Sequence, residues 1–138
     1  MKLLSIKLVK TFDENPDTSF LGYYSNEWKE GAIETKREGR YYKYFIPQMS
    51  EPEYALQDYK FMEAYEKGEH IAYYVYAKAE IETLGTTQII KTGGMGGFFD
   101  EVNDEYYDDE LHELKEILRD MRISKEEIDK IKPVKVDD

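Results

Sequence analysis

Seven carboxylates crowd into the eleven residues from Asp100 to Glu110: Asp100, Glu101, Asp104, Glu105, Asp108, Asp109 and Glu110. Carboxylates at this density can hold a cation, share a proton, or present negative charge to a basic partner, and their spacing decides among these. The D-x-[DN]-x-[DN]-G spacing of a calcium loop is absent, so no metal site is assigned. At about 100° per residue, Glu105, Asp109, Glu113, Glu116 and Asp120 fall on one narrow stripe of a helix. Lys115 and Arg119 lie on the flank nearer its apolar face. Such a stripe is either a solvated helix face, with acids favoured early by the helix dipole, or a surface that imitates nucleic acid. It spans roughly 22 Å at about 1.5 Å per residue. One DNA strand presents about six or seven phosphates over that length, and a duplex about thirteen. The helix alone therefore matches at most one strand edge.

A glycine-rich run, Gly93-Gly-Met-Gly-Gly97, precedes the acids. Glycines before a helix can offer backbone N–H groups to phosphate. Here the Lys-Ser/Thr ending of a P-loop is missing, G-x-G-x-x-G is not matched, and the following carboxylates repel an anion. A flexible or positive-φ loop is expected instead, with Met95, Phe98 and Phe99 as an apolar anchor or contact.

Asp58 is the candidate buried polar group. On the wheel of its helix it falls inside the arc of Phe61, Tyr54, Tyr65, Met62, Ala55 and Tyr59, where a carboxylate needs a partner because an unpaired buried charge is costly. Its readings are a structural hydrogen bond or a functional carboxylate in a cleft.

The enzyme case is poor. There is no Cys, and with His70 and His112 alone a His-based triad has few ways to assemble. His112 sits one turn after Asp108. No catalytic residue and no cofactor are assigned.

The chain's 138 residues fit one domain, 1–138, large enough to bury a core without staples. Net charge is −11, yet its distribution is uneven: Gly93 to Met121 holds ten acids and two bases, leaving twenty acids and seventeen bases elsewhere. Direct binding of nucleic acid is not expected, since that rests on Lys and Arg neutralising phosphates. A basic protein partner is. No apolar run approaches the ~18 residues of a membrane span, and the N-terminus lacks the pattern of a signal peptide. A cytoplasmic location is expected, and no oligomeric state follows.

The elements that position these residues are legible from periodicity. Leu3 to Thr11 reads as a strand with Leu4, Ile6 and Leu8 alternating, and Asp13 to Ser25 as a connection. Ala32–Lys36 and Arg40–Ile46 read as a hairpin turning at Glu38-Gly39, ended by Pro47. A helix follows, with Ser50 as N-cap, Pro52 in its first turn and Gly68 as its stop. His70 to Leu84 is a long strand with Ile71, Tyr73, Val75, Ala77, Ala79 and Ile81 on one face, and Thr87–Lys91 is its partner. A second helix over 104–121 has the apolar stripe Tyr107, Leu111, Leu114, Leu118 and Met121. Ser124 and Glu127 form the capping box of a short third helix, with Ile123 and Ile128 at staple positions, and Pro133 and the charged tail end the structure. The fold class expected is α+β: an antiparallel sheet of about five strands with two main helices and a short C-terminal helix packed on it. Tyr42 and Tyr44, and Tyr74 and Tyr76, alternate along their strands; an uncovered face would show a Tyr-rich contact patch.

Three stretches carry a resemblance: Ala55–Tyr65, Ile90–Met95 leading into Asp100–Tyr106, and Glu110-Leu-His-Glu-Leu114. Over roughly the second half of the chain they resemble small acidic hypothetical proteins of bacteriophages and mobile elements. In those, a Gly-Gly-aromatic loop precedes an acidic stretch and a Leu-rich helix. Met95 and Gly96 depart from that pattern, where Leu and Trp are expected. The resemblance implies a phage accessory protein of the anti-defence or DNA-mimic kind, and carries over no catalytic residue.

The expected function is a non-enzymatic binding protein. Its contact surface is Met95, Phe98, Asp100, Glu101, Asp104, Glu105, Asp109, Glu113, Glu116 and Asp120, and its partner a basic protein of the nucleic-acid-binding kind. The alternatives are a small carboxylate-based or metal-dependent enzyme and a structural or oligomeric phage component.

Overall fold

Alternating apolar side chains in two long segments build the main sheet. The computed structural model describes residues 1–35, 42–49 and 51–138. The chain is α+β and divides into two compact units, one of Met1–Glu14 with Ala72–Asp138 and one of Asn15–Ile71.

In the first unit, β1 (Lys2–Phe12) pairs antiparallel with β5 (Ala72–Thr83). A register shift between Leu3 and Ser5 changes the phase of the alternation, so that Leu3, rather than the expected Leu4, joins Ile6 and Leu8 in the core. On β5, Val75, Ala77, Ala79 and Ile81 are all buried on the same side. β6 (Thr86–Lys91) pairs with the second half of β5 and β7 (Met95–Phe99) with its first half. α2 (Asp104–Asp120) covers the apolar face with Tyr107, Leu114 and Leu118, and Leu111 and Met121 pack at its margin.

Further expectations about this unit are corrected. The Gly93–Gly97 segment is not wholly a loop, since Met95 to Gly97 already lie in β7. Nor does the structure end at Pro133. Val134–Asp137 forms β8, which runs parallel to β1 and makes the sheet mixed rather than antiparallel. A short strand here covers the edge of β1, whose backbone groups need partners.

α3 (Lys125–Lys130) begins as expected, with Ser124 Oγ accepting from the Glu127 N–H at 3.2 Å. The reciprocal arm of the capping box is not made. Glu127 Oε1 instead accepts from the Leu3 N–H at 3.0 Å, tying α3 to the start of β1. Ile123 and Ile128 are buried in the same core.

The second unit holds β2 (Gly22–Ser25), β3 (Ile33–Glu34), β4 (Tyr44–Pro47) and α1 (Pro52–Glu66). Its three-stranded sheet has the order β2-β4-β3. β2 falls where only a connection was expected. The turn expected at Glu38-Gly39 and the N-cap expected at Ser50 lie outside the described residues, and Glu51 holds the N-cap position of α1. α1 buries Met62 against Leu21 and Phe45, the core of this unit. Tyr59 and Tyr24 ring Phe45, each 5.4 Å from it centre to centre.

Gly22 sits where any side chain collides. Its φ is +143°, and a Cβ there would meet the Ile46 carbonyl oxygen, Phe45 Cζ at 2.7 Å and Pro47 Cα at 2.9 Å. Two of these are backbone atoms of the paired strand and cannot rotate away. Gly22→Ala is therefore expected to destabilise this unit by about 3 kcal/mol or more, read as a lower denaturant midpoint.

Candidate functional site

α2 sorts its carboxylates by helical phase. Tyr107, Glu110, Leu114 and Leu118 point into the core, while Glu105, Asp109, Glu113, Glu116 and Asp120 are all exposed. The stripe read from the sequence therefore exists as a solvent-facing row of carboxylates. His112 pairs along it with Glu116, Nε2 to Oε1 at 3.2 Å, rather than with Asp108.

The seven carboxylates of 100–110 do not form one cluster. Asp100 follows β7 at a φ of +66°, and the Glu101 N–H bonds back to the Phe99 carbonyl at 2.8 Å, closing a γ-turn around it. Asp104 is held by Lys135, Nζ to Oδ1 at 2.6 Å, and Lys135 also lies over the Tyr107 ring at 4.5 Å. The hydrogen bond that the Lys135 ammonium donates to Asp104 is the main cause of the upward shift of its pKa. Glu101 and Asp104 are exposed.

Glu110 turns inward and is only 4 % exposed. The strand end beneath it supplies its partners. The Thr92 N–H bonds to the Ala77 carbonyl at 2.9 Å. The Thr92 hydroxyl accepts from the Ala77 N–H at 2.9 Å and donates to Glu110 Oε1 at 3.1 Å. The backbone of Gly94 also favours the charged carboxylate. Burial pushes the Glu110 carboxyl above the ordinary range. The Thr92 hydrogen bond opposes that rise, while the charge of Glu113 and a hydrogen bond with its side chain add to it.

Because the folded state holds the Glu110 proton to higher pH than the unfolded chain does, this group's contribution to stability falls as pH rises from the ordinary glutamate value through the raised one. It is level above that. Glu110→Gln keeps an acceptor for Thr92 and offers Glu113 a donor. Thermal melts across that window are expected to lose this part of the pH slope, with a higher melting temperature than wild type at neutral pH.

The apolar contact residues separate. Met95 is 47 % exposed. Phe98 is half-buried, packed on the core with its ring 4.4 Å from that of Tyr106, which makes it an anchor of β7. The glycine run is shaped by what lies against it. Gly94 has a φ of +78°, and a Cβ there would meet the Tyr74 ring at 2.6 Å. Tyr74 donates its hydroxyl proton to the Gly93 carbonyl, and the Gly97 N–H donates to Asp13 Oδ2 at 2.8 Å. The run is pinned rather than loose.

Asp58 is half-buried, not enclosed as the wheel implied, and Tyr54 of the same arc is exposed. α1 buries a narrower face, Ala55 and Met62. Among the described residues the buried carboxylate is Glu110, and its signal was available: it stands three residues after Tyr107 and four before Leu114, inside the apolar stripe of α2.

Among the described residues no group of three or more His, Cys, Asp or Glu is placed to hold a metal ion, and no helix is long and apolar enough to cross a membrane. Comparison with family models, curated proteins and solved structures finds no match for this chain.

Proposed function

We propose that this chain is a binding protein that engages a basic protein through the exposed carboxylates of α2. The observation carrying this reading is the division of labour on one helix. Its apolar side is fully used in the core, so the opposite row of Glu105, Asp109, Glu113, Glu116 and Asp120 is free of any packing duty. A row of like charges on one helix repels itself at i,i+4 spacing, and a cationic partner relieves that repulsion.

The resemblance to small acidic phage and mobile-element proteins supports the finer reading. On it, the protein is an accessory factor acting in the host cytoplasm on a nucleic-acid-binding host protein, with the stripe standing for one strand edge. Affinity capture from host lysate, run in parallel with wild type and with Asp109, Glu113 and Glu116 reversed to Lys, tests it. A basic protein retained by wild type and lost by the variant is expected. Equal retention by both would overturn the reading.

A further inference from the structure

The face of the main sheet away from α2 carries the opposite sign of charge. Strand register sets Lys7 of β1 directly opposite Lys78 of β5, and Lys78 directly opposite Lys91 of β6. Three lysines thus stand in one cross-strand row. With neighbouring strands about 4.8 Å apart, the row is roughly 10 Å long. Like charges directly opposite one another destabilise a sheet, and none of the three lysines forms an ion pair among the described residues. Lys7 and Lys91 are exposed and Lys78 is half-exposed.

The surroundings of the row are those of a contact surface. Lys91 Nζ lies 5.7 Å from the centre of the Tyr76 ring. On the other side Ser5, Lys7, Lys78, Glu80 and Ile89 line a shallow cleft of about 100 Å³. Ile89 is 56 % exposed, an apolar side chain beside the cations. By register, Lys2, Lys7, Lys78 and Lys91 share this face with Glu80 and Glu82 alone among the acids of the three strands. The net charge of −11 therefore averages two unlike faces.

We propose that this face binds single-stranded nucleic acid, with the lysine row on the phosphates and the flanking Tyr76 and Ile89 against the bases. Phosphodiesters supply the dense negative charge that the row lacks, and a ring beside cations is the arrangement that holds a single strand without reading its sequence. The carboxylates of α2 lie behind the sheet and repel the same ligand, so the strand is confined to one side. The inference is independent of the proposed protein partner, which uses the stripe and not the row.

The test is fluorescence anisotropy of a labelled short oligothymidylate titrated with the full chain at about 20 mM salt. Binding on the order of 10⁻⁵ M is expected, with log K falling against log salt at a slope of about −2, since each phosphate neutralised on a single strand contributes about 0.7. Lys78→Ala should reduce the slope by about 0.7. The triple variant Lys7→Glu, Lys78→Glu, Lys91→Glu should lose binding, and the single variants Lys7→Gln and Lys91→Gln, each weakening it, guard against a fold defect in the triple. The stripe variant Asp109→Lys, Glu113→Lys, Glu116→Lys should keep row-dependent binding, which separates a failure here from a failure of the proposed protein partner. No binding by wild type, or equal binding by the row variants, would overturn the inference. So would row-dependent self-association in sedimentation without oligonucleotide binding, which would assign the face to a second copy of the chain.

Discussion

Replacing Asp109, Glu113 and Glu116 together with Lys is expected to weaken binding of the basic partner by at least about 100-fold while leaving the domain folded. Three favourable charges become three repulsive ones, and like charges juxtaposed at an interface cost several kcal/mol, where about 1.4 kcal/mol is already tenfold. All three side chains are exposed and none packs in the core. The change in stability should therefore stay within about 0.5 kcal/mol per site at 109 and 116, while at 113 it follows the fall in the Glu110 pKa. The His112–Glu116 pair lost in the variant is exposed, and such pairs are worth about 0–1 kcal/mol. Titration calorimetry on the captured partner, with a thermal melt of each variant, reads both quantities. Raising salt should weaken the wild-type complex as well, because exposed charges are screened over about 8 Å at physiological ionic strength. A complex insensitive to both changes would place the contact elsewhere on the chain.

The largest effect on stability near the site is expected from Gly94→Ala. The backbone there is left-handed at a φ of +78°, which for a residue with a Cβ costs about 1–2 kcal/mol. The new methyl also meets the Tyr74 ring at 2.6 Å, so the ring must move. Its hydroxyl then leaves the Gly93 carbonyl. The expected loss is about 3 kcal/mol. Shifting the Gly94 backbone, which favours the charged carboxylate, also raises the Glu110 pKa further, so the pH-dependent part of the melting curve should widen toward neutral pH. Gly93→Ala, where a Cβ meets nothing within 4 Å, is the matched control and should change little.

These two variants separate what α2 presents to solvent from what it clamps. Glu110 and Glu113 stand one turn apart and the charge of Glu113 raises the Glu110 carboxyl, yet one faces the core and the other the solvent. Reversal at Glu113 removes a negative charge from beside Glu110 and should lower its pKa, a shift visible in the pH dependence of stability even if no partner is present.

Much of this was legible in the sequence because periodicity is a local property. The alternation along β5, the i, i+4, i+7 stripe of α2 and the capping Ser124 each depend on residues within one or two turns of one another, and helix or strand geometry fixes which side each faces. The exposed carboxylate row followed from the same rule. Other features could not be read locally. A bulge between Leu3 and Ser5 reverses the phase of a strand without changing a residue. β8 forms because the edge of β1 is open to it, and no local signal near Pro133 announces a partner more than a hundred residues away. The assignment of α1 to its own core with Leu21 and Phe45 likewise depends on distant contacts.

The sequence by itself therefore determined that the acids form one stripe on one helix, because the chemistry of a helix face is set by spacing alone. Only the tertiary structure decided which carboxylate is withdrawn into the core. Glu110 and Asp58 have the same standing on a helical wheel, and what distinguishes them is whether a hydroxyl from another element stands ready to receive the buried group. It also decided that three lysines from separate strands share one row, since register across a sheet joins residues that sequence distance keeps apart.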